Sequence, residues 1–299
     1  MAARPNRWIR RHRVASFALL TYALSWGIEA VPILLGMESS WSRWFLEGFL
    51  SPLSPGVAAA VVIRASGESV RGWLRGLLRW RIHPKWYAVA VALPFAITYA
   101  AGLASWALGG PIDLAAFEFD PTTVAIGVVL GTFLGGGQEE FGWRGFAQPE
   151  LQARYGGLPA ALLVGVLWGG WHLPQFLPGG FRADWPAELV VAYFLGIVAF
   201  SVLLGWVFNG SGGSVLVPML MHGTDNATTG QVPLDLEVVL VGDAIDWSTL
   251  ASLYAAHALL TWAIALAVVA LVGRHLHDRR VDRVPARDGR VVERPAGEG

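Results

Sequence analysis

Apolar residues run along this chain in long uninterrupted stretches, with polar residues confined to the connections between them. Eight such stretches lie near 14–36, 44–64, 86–108, 122–142, 158–176, 188–208, 213–229 and 250–273. Each is long enough to cross about 30 Å of hydrocarbon as a helix. The pattern predicts an all-α, polytopic membrane helix bundle of about eight transmembrane helices; seven is the nearest alternative, because the stretch at 213–229 is short. The first stretch follows a basic segment, as a secretory signal would. Val14 to Leu35 is nevertheless too long for a signal core and has no A-x-A-like exit, so it reads as a helix that stays.

The connections carry sorted charge. Segment 1–13 holds five Arg and no acid, and 64–85 carries Arg64, Arg71, Arg75, Arg79, Arg81 and Lys85 against Glu68 alone. Segments 109–121 and 230–249 are acidic without a base, and the tail after 273 has seven Arg. Basic and acidic connections alternate as an even-numbered bundle with both termini cytoplasmic requires. Arg182, in the connection 177–187, is the misfit. Three units follow: a basic cytoplasmic N-terminus (1–13), a membrane bundle (14–276, with its motif-bearing core at 122–229), and an Arg-, Pro- and Gly-rich cytoplasmic tail (277–299) that reads as disordered. Within 64–85, Arg71, Arg75 and Arg79 recur every fourth residue opposite Trp73, Leu74, Leu77 and Leu78. That is an amphipathic helix suited to an anionic lipid surface.

Composition agrees with a membrane setting. Of 299 residues, 54% are hydrophobic and 15% charged, against about 25% charged in a soluble domain. No cysteine is present, which excludes disulfides, a thiol nucleophile and thiolate metal sites. All basic residues but Lys85 are Arg, a bias that points to a GC-rich bacterial genome and so to a bacterial inner membrane. Lipid and a membrane-associated peptide or protein are the expected partners, and nucleic acid is not one.

Charge inside such spans needs a reason, since a charged side chain at the bilayer centre costs at least ~2.5–3.5 kcal/mol. Gln138-Glu139-Glu140-Phe141-Gly142-Trp143-Arg144 follows the glycine-rich apolar run that ends at Gly137. Glu139 and Glu140 point about 100° apart on a helix, and Arg144 is four residues beyond Glu140, the spacing at which side chains meet. Glu140 then pairs with Arg144, and Glu139 is left for other work. A carboxylate in a low-dielectric cavity gains proton affinity and can act as general base toward water. The alternative is a solvated helix end. His172 lies in a span just before Pro174, which removes a backbone donor; Gly165 and Gly169 offer a small-residue face for helix packing. His222 and Asn226, four residues apart, share a helix face and can together donate to an oxyanion. Both could instead join helices by hydrogen bonds. Asp225 is assigned to an interfacial or outward face, and Glu29 and His257 have no polar company in sequence.

Other intramembrane chemistries lack their residues. There is no H-E-x-x-H, Asn209 stands where a Gly-x-Ser-Gly loop needs glycine, Leu240 stands where a Gly-x-Gly-Asp needs one, and no Walker A or G-x-G-x-x-G run occurs. Glu139-Glu140-x-x-x-Arg144, then His172, then His222-x-x-x-Asn226, resembles instead the CAAX protease and bacteriocin-processing family of intramembrane glutamic endopeptidases. Its eukaryotic members remove the last three residues of prenylated proteins. The resemblance covers about 122–229. The second motif is usually Phe-x-x-x-His; Trp168 replaces Phe here, a change expected to alter packing only. The resemblance implies that Glu139 and His172 bind and activate water, that His222 and Asn226 form the oxyanion site, and that Glu140 and Arg144 hold the site together. Two His and a Glu could bind zinc, but a glutamate base needs no cation, so no metal or cofactor is expected.

The chain is thus read as a glutamic-type intramembrane endopeptidase of the cell membrane, cutting near the cytoplasmic leaflet. The rival is a non-enzymatic scaffold or transporter-like protein whose polar residues pack helices. One geometric demand stands out. His172 lies roughly 21 Å along a helix that starts near Leu158, so for Glu139 to reach it either helix 4 continues past Arg144 or helix 5 begins below the surface; the former is expected, with 138–150 helical.

Overall fold

The computed structural model describes residues 6–107, 120–228 and 246–276, with the backbone of 240–241, 244–245, 283–285 and 291–293. Most of the two acidic connections and of the tail read as disordered lie outside the described residues. The protein is a helical membrane bundle: α1 (Arg13–Leu34), α2 (Trp41–Ala65), α3 (Val70–Leu77), α4 (Lys85–Ala107), α5 (Pro121–Phe133), α6 (140–155), α7 (Gly157–Trp171), α8 (Ala187–Gly210), α9 (Leu216–Thr228) and α10 (Trp247–Val272). The other regular elements among the described residues are a short helix at Arg7–Arg11, 3-10 turns at Gly137–Glu139 and Leu173–Phe176, and two short antiparallel strand pairs, Leu240–Val241 with Ala244–Ile245 and Arg283–Pro285 with Val291–Glu293.

All eight apolar stretches contain helix. Among the described residues five helices, α1, α2, α4, α8 and α10, are long and apolar enough to cross a bilayer. Their outer faces stay uncovered by protein: Leu19, Leu34, Leu259, Leu266 and Leu271 are each more than half exposed, as lipid-facing positions are. The other three stretches form α5, α7 and α9, of 13, 15 and 13 residues. At 1.5 Å per residue these span only about 20–22 Å, so the count of eight full crossings is not what the structure displays.

The short helices have local causes. Asp120 caps α5, its carboxylate accepting from the backbone N–H groups of Thr122 and Thr123 at 3.0 and 3.2 Å. After Phe133 comes Gly135-Gly136-Gly137, where nothing favours helix and Gly136 takes φ +118°. The expectation that helix 4 runs on past Arg144 is therefore corrected. α5 stops, the chain turns, a 3-10 turn covers Gly137–Glu139, and a new helix starts at Glu140. That helix contains a π turn at Trp143–Ala147 and runs unbroken to Tyr155, so 138–150 is helical as expected, though in a separate element. Asp246 caps α10 in the same way. Hydrogen bonds from the Thr249 and Ser248 side chains, with help from their backbone, hold its carboxyl down at about 2.

α6 and α7 form a hairpin about Gly156. Glu139 stands about 24 Å from that turn along one leg and His172 about 22 Å along the other, so the two reach the same depth. Ties at the basic end gather the ends of the helices. Arg13 pairs with Glu68 at 2.6 Å and Glu150 at 2.9 Å, and the Leu158 N–H donates to the Arg274 carbonyl at 2.8 Å. α3 also turns inward: Leu77 is buried, and the Trp73 indole donates to the Gly145 carbonyl at 2.8 Å. It ends at Leu77, so Arg71 and Arg75 are on it while Arg79 lies beyond, donating to Gly212 at 3.1 Å.

Close approach of small residues sets the helix packing. Side chains on Gly165 and Gly169 would meet Ser201 and Phe194 of α8 at 3.0 Å. α5 and α9 approach closer still: a side chain on Gly223 would run into the Thr132 backbone, and one on Gly131 into the Gly223 carbonyl. Gly223→Ala is expected to lower the thermal unfolding midpoint in detergent, by an overpacking cost of about 1–3 kcal/mol. Gly27→Ala, with nothing within 4 Å of the added carbon, should leave it unchanged or raise it.

Candidate active site

Glu140 and Arg144 meet as the i, i+4 spacing requires. The Arg144 guanidinium donates to both Glu140 oxygens at 3.1 and 3.0 Å, and neither side chain has any exposure. Arg144 also donates to Ser201 Oγ at 2.7 Å, and that hydroxyl donates to the Ala161 carbonyl at 2.7 Å. One guanidinium thereby links α6, α7 and α8. On its other side Glu140 faces His222 of α9, with Nδ1 2.9 Å from Oε1. A carboxylate oxygen flanked this way accepts, so Nδ1 carries a proton and Nε2 is the nitrogen left to face the cavity.

Glu139 is held separately. Its Oε2 accepts from the Trp168 indole at 2.8 Å and the Trp143 indole at 3.3 Å. His172 sits at the end of α7 with Nδ1 2.9 Å from the Trp168 carbonyl. A carbonyl only accepts, so His172 is protonated on Nδ1, and its Nε2 is an acceptor. Trp168 therefore contacts both residues, through its indole and its carbonyl.

These groups meet at a cavity of about 550 Å³, with Glu139, His172, His222 and Asn226 on its wall. Asn226 Nδ2 donates to the Gly135 carbonyl at 2.5 Å. A side-chain carbon on Gly136 would stand 2.7 Å from Asn226 Nδ2 and 2.9 Å from His222 Nε2. Both nitrogens therefore stand close together against Gly136, an approach that a side chain at 136 would block. The Gly136 carbonyl in turn accepts from the Glu139 N–H at 2.9 Å.

A family model described as Type II CAAX prenyl endopeptidase Rce1-like matches residues 120–228, the stretch that carries every one of these groups. Over that stretch the chain is similar to the CAAX protease family. A curated relative, CAAX prenyl protease 2 of Methanococcus maripaludis, is 24% identical over 216 residues, 69% of this chain and 80% of the relative. All six residues singled out from sequence, Glu139, Glu140, Arg144, His172, His222 and Asn226, cluster at one site.

Several neighbours were placed wrongly or missed. Asp225, assigned to an outward or interfacial face, lines the cavity 3.8 Å from His257 Nε2, so neither lacks polar company. Glu29 is buried and accepts from Ser51 Oγ at 2.7 Å. The tryptophan at 168 does more than pack: it supplies Glu139 with a hydrogen bond that phenylalanine cannot make. Its only sequence signal was the departure from the family's usual phenylalanine. Trp168→Phe should keep the fold and lower kcat with little change in KM, as expected for a residue that positions the base. An unchanged kcat would show that the indole only fills space.

Proposed function

We propose that this protein is a glutamic-type intramembrane endopeptidase that hydrolyses a peptide bond of a membrane-associated peptide or protein. Glu139 is the general base. It and His172 Nε2 accept hydrogen bonds from one water molecule. The water oxygen attacks the scissile carbonyl carbon as its proton passes to Glu139. The carbonyl oxygen gains negative charge and receives hydrogen bonds from His222 Nε2 and Asn226 Nδ2. Collapse breaks the C–N bond, and Glu139 returns the proton to the leaving amine. Water and peptide thus become an acid and an amine, with the enzyme restored.

The observation that carries this reading is that His222 Nε2 and Asn226 Nδ2 stand together against Gly136, on the cavity wall that also holds Glu139 and His172. An oxyanion site needs two donors aimed at one place. With Nδ1 given to Glu140, His222 can donate from Nε2 only as imidazolium. That assignment also balances charge: Glu139 and Glu140 against Arg144 and His222 leave a buried site neutral. Glu140 and Arg144 act by fixing His222 rather than by touching substrate.

The basic end of the bundle belongs in the cytoplasm, which puts both termini there, in the cell membrane of a bacterium. The mechanism takes no step through a metal. The relative's name, CAAX prenyl protease 2, supplies the first peptide to try; membrane-tethered leaders and anchors form the broader class. Protein in liposomes should cleave a prenylated CAAX peptide, and membranes containing it should show new peptide termini. Glu139→Gln should lower the rate by at least 10²-fold, within the range general-base catalysis supplies, and chelator should have no effect. Full activity in folded Glu139→Gln would overturn Glu139 as the base, the same peptide termini with wild type and folded variant would return the protein to the scaffold or transporter-like reading, and loss on chelation would overturn the metal-free mechanism.

A further inference from the structure

Arg182 broke the charge alternation of the connections, and its surroundings explain why. It is not a solvated loop charge but lies on the wall of the same cavity as Glu139 and His172. Four rings enclose its guanidinium: Phe181 and Tyr193 with centroids at 4.5 Å, Trp185 at 4.9 Å and Phe176 at 5.9 Å. Its hydrogen bonds leave from Nη1 alone and go to neutral acceptors, Gln175 Oε1 and, at 3.0 Å, the Tyr193 hydroxyl. The buried Nε has no partner. No carboxylate of the described residues lies within salt-bridge distance. Two other arginines of the bundle are neutralised, Arg144 by Glu140 and Arg43 by Glu47, each at 3.0 Å.

A guanidinium has five N–H donors in a fixed fork that fits a carboxylate through two parallel bonds. Here the cation is already desolvated by aromatic rings and has no counter-ion among the described residues, so the cost of burying it is only partly offset. Glu47, Glu139 and Asp225 also line the cavity, but its Arg182 corner is suited to an anion. Position ties that anion to the chemistry: the Tyr193 ring that touches Arg182 is 5.6 Å from the His172 ring, and the Arg182 N–H donates at 2.8 Å to Gln175, three residues after His172. One short bound peptide can reach both groups.

We infer that Arg182 is the specificity-determining residue of the cavity and binds a carboxylate of the substrate peptide, at its C-terminus or on an acidic side chain. The inference rests on the endopeptidase reading for the identity of the ligand, but not for the existence of the anion site.

Three prenylated peptides of one sequence test it: a free acid, its C-terminal amide, and an amide with Glu at the last position. Binding is titrated against Glu139→Gln protein in liposomes, which requires no turnover, and cleavage is followed with wild type. The free acid should bind at least 10-fold more tightly than the plain amide. Adding Arg182→Gln should remove that difference, and Arg182→Lys should keep part of it. Recovery of affinity by the Glu-containing amide assigns recognition to any carboxylate; recovery by the free acid alone assigns it to the C-terminus. Equal binding of acid and amide to protein with Arg182 intact overturns the inference. So does an equal loss for all three peptides in folded Arg182→Gln, which would make Arg182 a brace for its loop. Absence of cleavage with the binding preference intact would instead overturn the endopeptidase reading and leave the anion site standing.

Discussion

A carboxylate shared between a guanidinium and an imidazole, all within the bundle, is the constraint from which the site follows. Glu140 has no exposure and faces Arg144 on one side and His222 on the other. Breaking a buried pair by removing one partner costs about 3–5 kcal/mol, because the charge left behind has nowhere to go. The chain meets that constraint by drawing three helices inward: Arg144 reaches Ser201 of α8, whose hydroxyl reaches α7, while His222 brings α9 to α6. Holding the fold and orienting the chemistry are here the same contacts. His222 Nε2 faces the cavity because Nδ1 is held by Glu140.

The broken helices are the other half of the design. A bilayer leaves no water for loose backbone groups, so irregular chain survives there only against protein or a wet cavity. The turn at 134–139 and the end of α7 at His172 both lie against the cavity, and both present catalytic candidates. Glycine makes the break feasible: Gly136 adopts φ +118° and, having no side chain, lets His222 and Asn226 pack against it. Gly131 and Gly223 let α5 and α9 touch backbone to backbone, which seats His222 beside the turn.

Much of this was legible in the chain. The eight helical stretches follow from apolar runs that only a bilayer accommodates, and Glu140 with Arg144 follows from a four-residue spacing that any helix imposes. His222 and Asn226 shared a face for the same reason. What depends on tertiary contact was not legible. The end of α5 at Phe133 has its local mark in the three glycines at 135–137, but the apolar run continues through them and hides it. Arg182 follows His172 closely in the chain, yet only the return of α8 sets it among rings on the cavity wall, and only the folding of α10 brings His257 there. Trp168 was read as packing because a ring type says nothing about which atom its N–H will meet.

The account makes the site work only with Glu139 ionised and His222 doubly protonated. The pH dependence of kcat/KM for a prenylated CAAX peptide, measured in liposomes, tests that pairing most directly, since such a profile reports the free enzyme's essential acid and base. The prediction is a two-sided profile: activity falls on the acid side as Glu139 takes up a proton, and on the alkaline side as His222 loses one. The alkaline limb should vanish in His222→Gln, at reduced overall rate. A rate that climbs steadily into alkali in the wild-type enzyme would contradict it.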